Sequence, residues 1–290
     1  MNCTICKSST TKLYKNVKDN SVSKESFEVY ECESCQNFFT ANPPTEEHIG
    51  PYYESEDYVS HTDTKTGVIH KLYPLVRNYS LNQKIKLIKS HNNGLDLLDY
   101  GCGTGEFLSR AKTHGYNTLG IEPSETASAI ANKKGVSTHK PSFLKEIPSN
   151  SKDVITLWHV LEHVHQLNET LEEFKRILKP GGNLIIAVPN ISSSDSTHYK
   201  EHWAALDVPR HLYHFTPKGL VKLVNGSSLS HVDTKGMPFD SFYVSMLSEK
   251  YLNKVPMPLQ LIKAFIIGLL SNLKAGSNNY SSNIYIFKKL

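Results

Sequence analysis

Three stretches of the chain carry side chains or backbone that could do chemistry. Cys3-x2-Cys6 and Cys32-x2-Cys35 set four thiols in two knuckles, the arrangement that closes a tetrahedral thiolate site around a metal. Further along, HYKEHWAALDVPRHLYHFTP (198–217) gathers His198, His202, His211 and His214 around Glu201, Asp207 and Arg210. Imidazoles beside carboxylates exchange protons near neutral pH. Between them, LLDYGCGTGEF (97–107) ends a short apolar run in Gly101, Gly103 and Gly105. Such a turn lets backbone approach a nucleotide closely.

The glycine spacing narrows the ligand. A dinucleotide site reads G-x-G-x-x-G, but here the third glycine comes one residue early, in the frame D-x-G-x-G-x-G, and Glu106 follows it. An acid at that helix start repels a pyrophosphate, so a nucleoside ligand without phosphates fits better. Cys102, inside the turn, has no neighbour that would lower its pKa and is expected to pack.

These residues need elements to hold them. KLYKNV and ESFEVYEC alternate like strands around the polar turn DNSVSKES, which makes the first 40 residues a hairpin ribbon with a cysteine knuckle at each end. Four thiolate ligands leave no open coordination position, so zinc there is structural and supplies folding energy to a module too small for its own core. The 25 residues between the knuckles make a longer hairpin than usual. Residues 41–90 read as a linker, carrying Tyr52, Tyr53 and Tyr58, followed by helices over 69–90. From 95 onward strands and helices alternate: LDLLDY, GEFLSRAKTHG, NTLGIE, SETASAIANKKG, a short strand near GVSTH, DVITLWHV, QLNETLEEFKRILKPGG, NLIIAVPN. That alternation predicts a parallel sheet with helices on both faces. PKGLVKLVNGS then reads as a helix, and LSHVDTKGM and SSNIYIFKKL as strands. The domains expected are 1–40, 41–90 and 91–290, the last with an insert at 241–277. The insert is apolar on more than one helical face, which predicts burial under a substrate cap or in a homodimer, ahead of contact with a membrane.

LLDYGCGTGEF resembles the first motif of the class I S-adenosylmethionine-dependent methyltransferases, and the resemblance extends over residues 95–240. It implies a Rossmann-like α/β sheet, mostly parallel with a reversed last strand. It also implies S-adenosylmethionine as cofactor, with one of Tyr52, Tyr53 and Tyr58 closing over it. Glu122, 17 residues after Gly105, matches the acid that holds both ribose hydroxyls in that family. Asp99 matches a position beside the methionine moiety or the motif backbone, and DVITLWHVLEHV matches the fourth-strand motif. The implied cofactor contacts are Asp99, Gly101, Gly103, Gly105, Glu122, Trp158 and His159. The acid often found beside the adenine after the third strand has no counterpart in THKPSFLKEIPSN, which leaves Ser142 or Phe143 to line the base. The ribbon is similar to that of deoxysugar C-methyltransferases, whose additional C-terminal domain has no counterpart in these 290 residues. The motif core is also similar to quinone-pathway O-methyltransferases.

Methyl transfer is an in-line displacement, helped by holding the acceptor in position and by a base within reach of its proton. His202 or His211, with Glu201, is the expected base, and Arg210 the expected anchor for an acidic acceptor. The alternative for Asp207 and Arg210 is a structural ion pair. No second metal site is expected among these histidines, for want of a clear third ligand. The sequence carries a net charge of +4 and a pI near 8.6, without the basic clustering of a nucleic-acid enzyme. RNA methylation with the ribbon as grip is the competing expectation, but the fourth strand ends in LWHVLEH and lacks the Pro-Pro turn of base-methylating enzymes. Neither an apolar leader nor a span of about 20 apolar residues is present. The expectation is a cytoplasmic enzyme of a sugar-, quinone- or lipid-like small molecule.

Overall fold

The computed structural model of the protein describes residues 1–54 and 68–290. Its main sheet has seven strands in the order β10-β11-β8-β7-β4-β5-β6. These are β4 (Asp96–Tyr100), β5 (Asn117–Ile121), β6 (Thr138–His139), β7 (Lys152–Trp158), β8 (Leu178–Pro189), β10 (Leu229–Gly236) and β11 (Ser282–Lys289). All neighbours run parallel except β11, which is antiparallel to both β8 and β10. The central strands are mostly apolar and buried, with Asp99 of β4 and Thr156 of β7 as buried polar exceptions, as expected of a parallel sheet with both faces covered. After β4 the chain winds outward one way through β5 and β6, then returns to lay β7 on the other side of β4. Ligands of open α/β sheets bind at such a reversal, beyond the strands' carboxyl ends.

The helices are α1 (Val68–His91), α2 (Glu106–Thr113), α3 (Glu125–Lys133), α4 (Leu167–Ile177), α5 (Ser194–Tyr199), α6 (Pro217–Gly226), α7 (Asp240–Leu252) and α8 (Met257–Lys274). The segment read as helices over 69–90 is a single helix, α1. The helix expected to run to Pro180 ends at Ile177, and Leu178 is already extended. Proline disfavours helical backbone just before it, so the chain enters β8 early.

The amino-terminal residues form a second sheet, β1-β2-β3-β9, from β1 (Thr11–Lys18), β2 (Ser26–Cys32), β3 (Phe38–Thr40) and β9 (Tyr213–His214). Its fourth strand comes from the histidine-rich segment, with Phe38 opposite His214 and Phe39 opposite Tyr213. Instead of standing alone, the ribbon shares a core with the larger domain. Cys3, Ile5, Cys32, Cys35 and Phe39 pack in one cluster with Leu161, Leu167, Leu212 and Phe215. Both knuckles are also hydrogen-bonded to helices: Asn168 Nδ2 donates to the Ile5 carbonyl at 3.1 Å, and Thr216 Oγ1 to that of Gln36 at 2.7 Å.

Arg210 pins the two sheets together. Only 1% exposed, it donates to both oxygens of Asp207 at 2.7 and 3.0 Å, to Asp19 at 2.9 Å and to the Tyr52 carbonyl at 2.7 Å. Asp19 lies in the β1–β2 turn and also accepts from the backbone of Ser21, Val22 and Ser23. Of the two readings of Asp207 and Arg210, the ion pair is the observed one. No donor of this guanidinium is turned to a ligand. Burial alone would raise the Asp19 pKa, but Arg210 and the backbone donors hold it at about 2.

Asp19→Asn is expected to destabilise the protein by roughly 3–5 kcal/mol, as for a broken buried pair, in chemical denaturation at neutral pH. The Asp19 carboxylate is more acidic folded than unfolded, so its stabilisation is complete above about pH 4 and lost as pH falls towards 2. This acid-labile part of the stability should be missing from the variant.

Candidate functional site

The glycine turn sits at the carboxyl end of β4. Gly101 has φ +75°, and a Cβ there would collide with the Val160 side chain. Gly103 has φ +54° and nothing within 4 Å of where its Cβ would stand, so its outer side is open to a ligand. Beneath it, Glu122 at the end of β5 is buried. One carboxylate oxygen accepts from the Gly103 N–H at 2.7 Å and the other from the Ser124 N–H at 2.9 Å. Each oxygen keeps a lone pair, as a ligand diol requires.

Asp99 is buried behind the turn and accepts from Thr156 Oγ1 at 2.6 Å. Burial pushes its pKa to about 7, against the Thr156 bond and the charge of Lys84. Lys84, from α1, lies 4.2 Å from the centre of the Trp158 ring, and burial lowers its pKa to about 8. The Trp158 indole N–H is buried and has no hydrogen-bond partner among the described residues. On the far side of the crevice His139 stacks on Phe143 at 3.8 Å, while Ser142 is exposed.

Past β7 the chain turns through His159, whose φ of +59° is strained for a residue with a Cβ. His159 Nε2 is 3.0 Å from Asp240 at the start of α7 and Nδ1 is 3.7 Å from Glu162. Burial would lower the His159 pKa, but Asp240, with Glu162 behind it, raises it to about 10. Glu162 is 1% exposed, and among the described residues neither carboxylate oxygen has a hydrogen-bond partner. Burial opposes its ionisation; His159, His163 and His211 outweigh that and hold its pKa low.

His163 Nδ1 lies 3.0 Å from the Arg210 carbonyl and His211 Nδ1 2.8 Å from that of Ala205. A carbonyl only accepts, so each Nδ1 carries a proton and each Nε2 is left out of that bond. Burial lowers the His163 pKa to about 4, helped by His211. Glu162, His163 and His211 each offer a donor atom, all within 4.8 Å of one another. Contrary to the sequence expectation, three groups therefore converge closely enough to hold one cation or to take up a proton.

The model of a family described as "Methyltransferase domain" matches residues 75–231, more than half of the chain. The chain is a class I S-adenosylmethionine-dependent methyltransferase. It is similar to a ubiquinone biosynthesis O-methyltransferase of Rickettsia bellii, 23% identical over 206 residues that cover 64% of this chain and 84% of the relative. It shares its fold with an S-adenosylmethionine-dependent methyltransferase from Archaeoglobus fulgidus at TM-score 0.53 and 20% identity, covering 73% of this chain and 94% of that one. The phosphoethanolamine N-methyltransferase 2 of Haemonchus contortus, solved with S-adenosyl-L-methionine, matches at TM-score 0.51 and 19% identity, over 72% of this chain and 52% of that one.

In this methyltransferase Asp99, Gly101, Gly103 and Glu122 stand at the carboxyl ends of β4 and β5, next to Trp158 and His159 at the end of β7. Gly105, expected with them, instead packs against Ala131 of α3 and Val136. Glu106 does not confront a ligand. Its carboxylate pairs with Lys134 at 2.6 Å and Arg77 at 3.7 Å. Cys102 is buried, and burial raises its thiol to about 12. Of the expected bases, His211 joins the Glu162 cluster. Glu201 pairs instead with Lys15 of β1 at 3.4 Å, His202 lies beside it in the short turn Lys200–His202, and among the described residues no hydrogen bond or ion pair links Glu201 to His211. The Tyr53 hydroxyl is 3.1 Å from His163 Nδ1 and that of Tyr52 donates to Glu25 at 2.7 Å. Tyr58 lies outside the described residues.

Sequence reasoning missed Lys84, Asp240 and the ligand-like convergence of Glu162. Glu162 alone had a local signal, since it lies between His159 and His163. The four cysteine sulfurs lie within 4.8 Å of one another, with Cys3–Cys35 at 3.7 Å and Cys6–Cys32 at 3.5 Å. A tetrahedron of about 2.3 Å metal–sulfur bonds has edges of about 3.8 Å, so the knuckles fit a four-thiolate metal.

Glu122→Ala removes the acceptor under Gly103. It should weaken S-adenosylhomocysteine binding about tenfold or more in calorimetric titration. Wild-type affinity in that variant would remove Glu122 from the cofactor site.

Proposed function

We propose that this methyltransferase methylates a hydroxyl of a small, largely apolar acceptor of quinone- or lipid-like character, with the Glu162–His163–His211 cluster receiving the proton. The observation that carries the reading is Glu162, a buried carboxylate paired with His159 but with no hydrogen bond to either oxygen among the described residues, close to two imidazoles whose Nδ1 protons are committed to backbone carbonyls. Two imidazoles beside a buried carboxylate form a base, with His211 the expected group and His163 its neighbour at 4.6 Å between ring centres. Once protonated, an imidazole here is stabilised by Glu162. The relatives named ubiquinone biosynthesis O-methyltransferases support the acceptor class.

When bound, S-adenosylmethionine supplies a methyl group activated by its sulfonium. In the proposed arrangement Glu122 accepts from the ribose hydroxyls and Phe143, backed by His139, lies along the adenine. Lys84 meets the methionine carboxylate across the Trp158 ring. The His159–Asp240 pair fixes the end of β7, so that the base cluster keeps its distance from the methyl group. Glu201 and His202 act on position only, through their place against β1. The four cysteines hold a structural zinc, which keeps the ribbon and its β3–β9 pairing in register beside His211.

Incubation with labelled S-adenosylmethionine and a cell extract, followed by nuclease treatment and organic extraction, tests the acceptor class. Nuclease-resistant label in the organic phase is expected, and nuclease-sensitive label would overturn it. With the acceptor in hand, His211→Ala should lower kcat by about 10²–10⁴-fold, the usual share of a general base, with S-adenosylhomocysteine affinity unchanged. The ribbon is checked separately by metal analysis, which should find one zinc per chain and none after Cys32→Ser with Cys35→Ser.

A further inference from the structure

The most apolar of the longer helices, α8, packs through its smallest residues and turns its largest outward. α8 rests on the rest of the molecule through Ala264, Gly268 and Ser271. A Cβ on Gly268 would stand 2.8 Å from the Phe242 ring, and Ser271 Oγ donates to the buried Asp195 at 2.7 Å. At about 100° per residue, the opposite side of α8 carries Leu259, Ile262, Phe265, Ile266, Leu269 and Leu273. All six are exposed, Ile262 by 56%, Phe265 by 59% and Leu273 by 73%. Isolated apolar residues at a surface are ordinary, but a continuous face of this kind marks an interaction site.

We propose that this face of α8 lies in the surface layer of an anionic phospholipid bilayer and holds the enzyme on the membrane. Charge selects the occupant. From residue 250 to 281 the sequence has four lysines, Lys250, Lys254, Lys263 and Lys274, and no aspartate or glutamate. Lys263 and Lys274 fall on one flank of the apolar face, where their stems cover its border and their ammonium groups meet lipid phosphates. A second copy of α8 is a poor occupant: it would bring these lysines from both chains to one seam with no carboxylate nearby in sequence to receive them. The surface also continues into aromatic residues. Phe242 stacks on Phe265 at 5.4 Å, and Phe239 meets Tyr79 edge-on at 5.9 Å. Exposed aromatic rings are favoured at the headgroup level.

α8 lies along the surface and does not cross. Its 18 residues span about 27 Å, one side is bound to α7, and among the described residues no helix is long and apolar enough to cross a membrane. α7, its partner in the hairpin, begins at Asp240, which holds His159 at the crevice. The surface proposed to meet lipid therefore ends beside the active site. The inference rests on this surface alone and is independent of which acceptor is methylated.

Co-sedimentation of the full chain with phosphatidylcholine vesicles, with and without phosphatidylglycerol, tests it. Wild type is expected to pellet with the anionic vesicles and to be released by salt. Ile266→Glu with Leu273→Glu should reduce the bound fraction roughly tenfold or more, and Lys263→Gln with Lys274→Gln should remove the preference for phosphatidylglycerol. S-adenosylhomocysteine affinity, measured in each variant, should stay at the wild-type value and so report an intact fold. Wild type left in the supernatant, or binding unchanged by the glutamates, overturns the proposal. So does sedimentation velocity showing a dimer that the glutamates dissociate without any vesicle binding.

Discussion

A guanidinium withdrawn from water must have its donors met, and Arg210 meets that demand from three separate parts of the chain. Asp19 comes from the ribbon, the Tyr52 carbonyl from the segment that follows it, and Asp207 from the same loop as Arg210. Satisfying one cation thus fixes the ribbon, the connecting segment and the histidine loop relative to one another. The adjoining residues inherit that order. His211 follows Arg210 directly, the Arg210 carbonyl sets the tautomer of His163, and the N–H of Leu212 donates to the Glu162 carbonyl at 2.8 Å. The Glu162–His163–His211 cluster is organised from the ribbon side as much as from the sheet.

Across the crevice, burial and pairing distribute charge unevenly. Asp99 is pushed towards neutrality and Lys84 is made easier to deprotonate, both by burial. His159 is kept protonated by Asp240, while His163 is kept neutral by burial and His211. Two histidines four residues apart in one loop are thereby given opposite charge states at neutral pH. A low-dielectric site can hold such a contrast because each neighbour acts strongly over short distances.

The sequence was most readable where the signal is local. Glycines at alternate positions, an acid at the next strand end and paired cysteines each occupy a few residues, and hydrophobic period marks the strands between them. Arg210 was legible only as two alternatives, because its other partner, Asp19, lies far away in sequence and an isolated aspartate in a polar turn carries no signal. Lys84 looked like one more charge on a helix. The pairing of β3 with β9 was equally hidden, as two residues, Tyr213–His214, are too few for an alternating pattern to show. In the apolar insert, composition marked an unusual helix pair, but only the packing of Ala264, Gly268 and Ser271 decided which side was inward. The helices buried less than their composition suggested.

The shared core of ribbon and sheet bears on how the molecule can be divided. A fragment beginning at residue 68 would retain every strand of the seven-stranded sheet and the whole glycine turn. Yet it would leave the backbone of Tyr213–His214 as an unpaired edge, open to other chains. It would also strip the apolar cover from Leu212 and Phe215 and leave Arg210 with Asp207 alone. Ribbon and sheet share a core and a strand pairing, so a cut between them opens contacts on both sides.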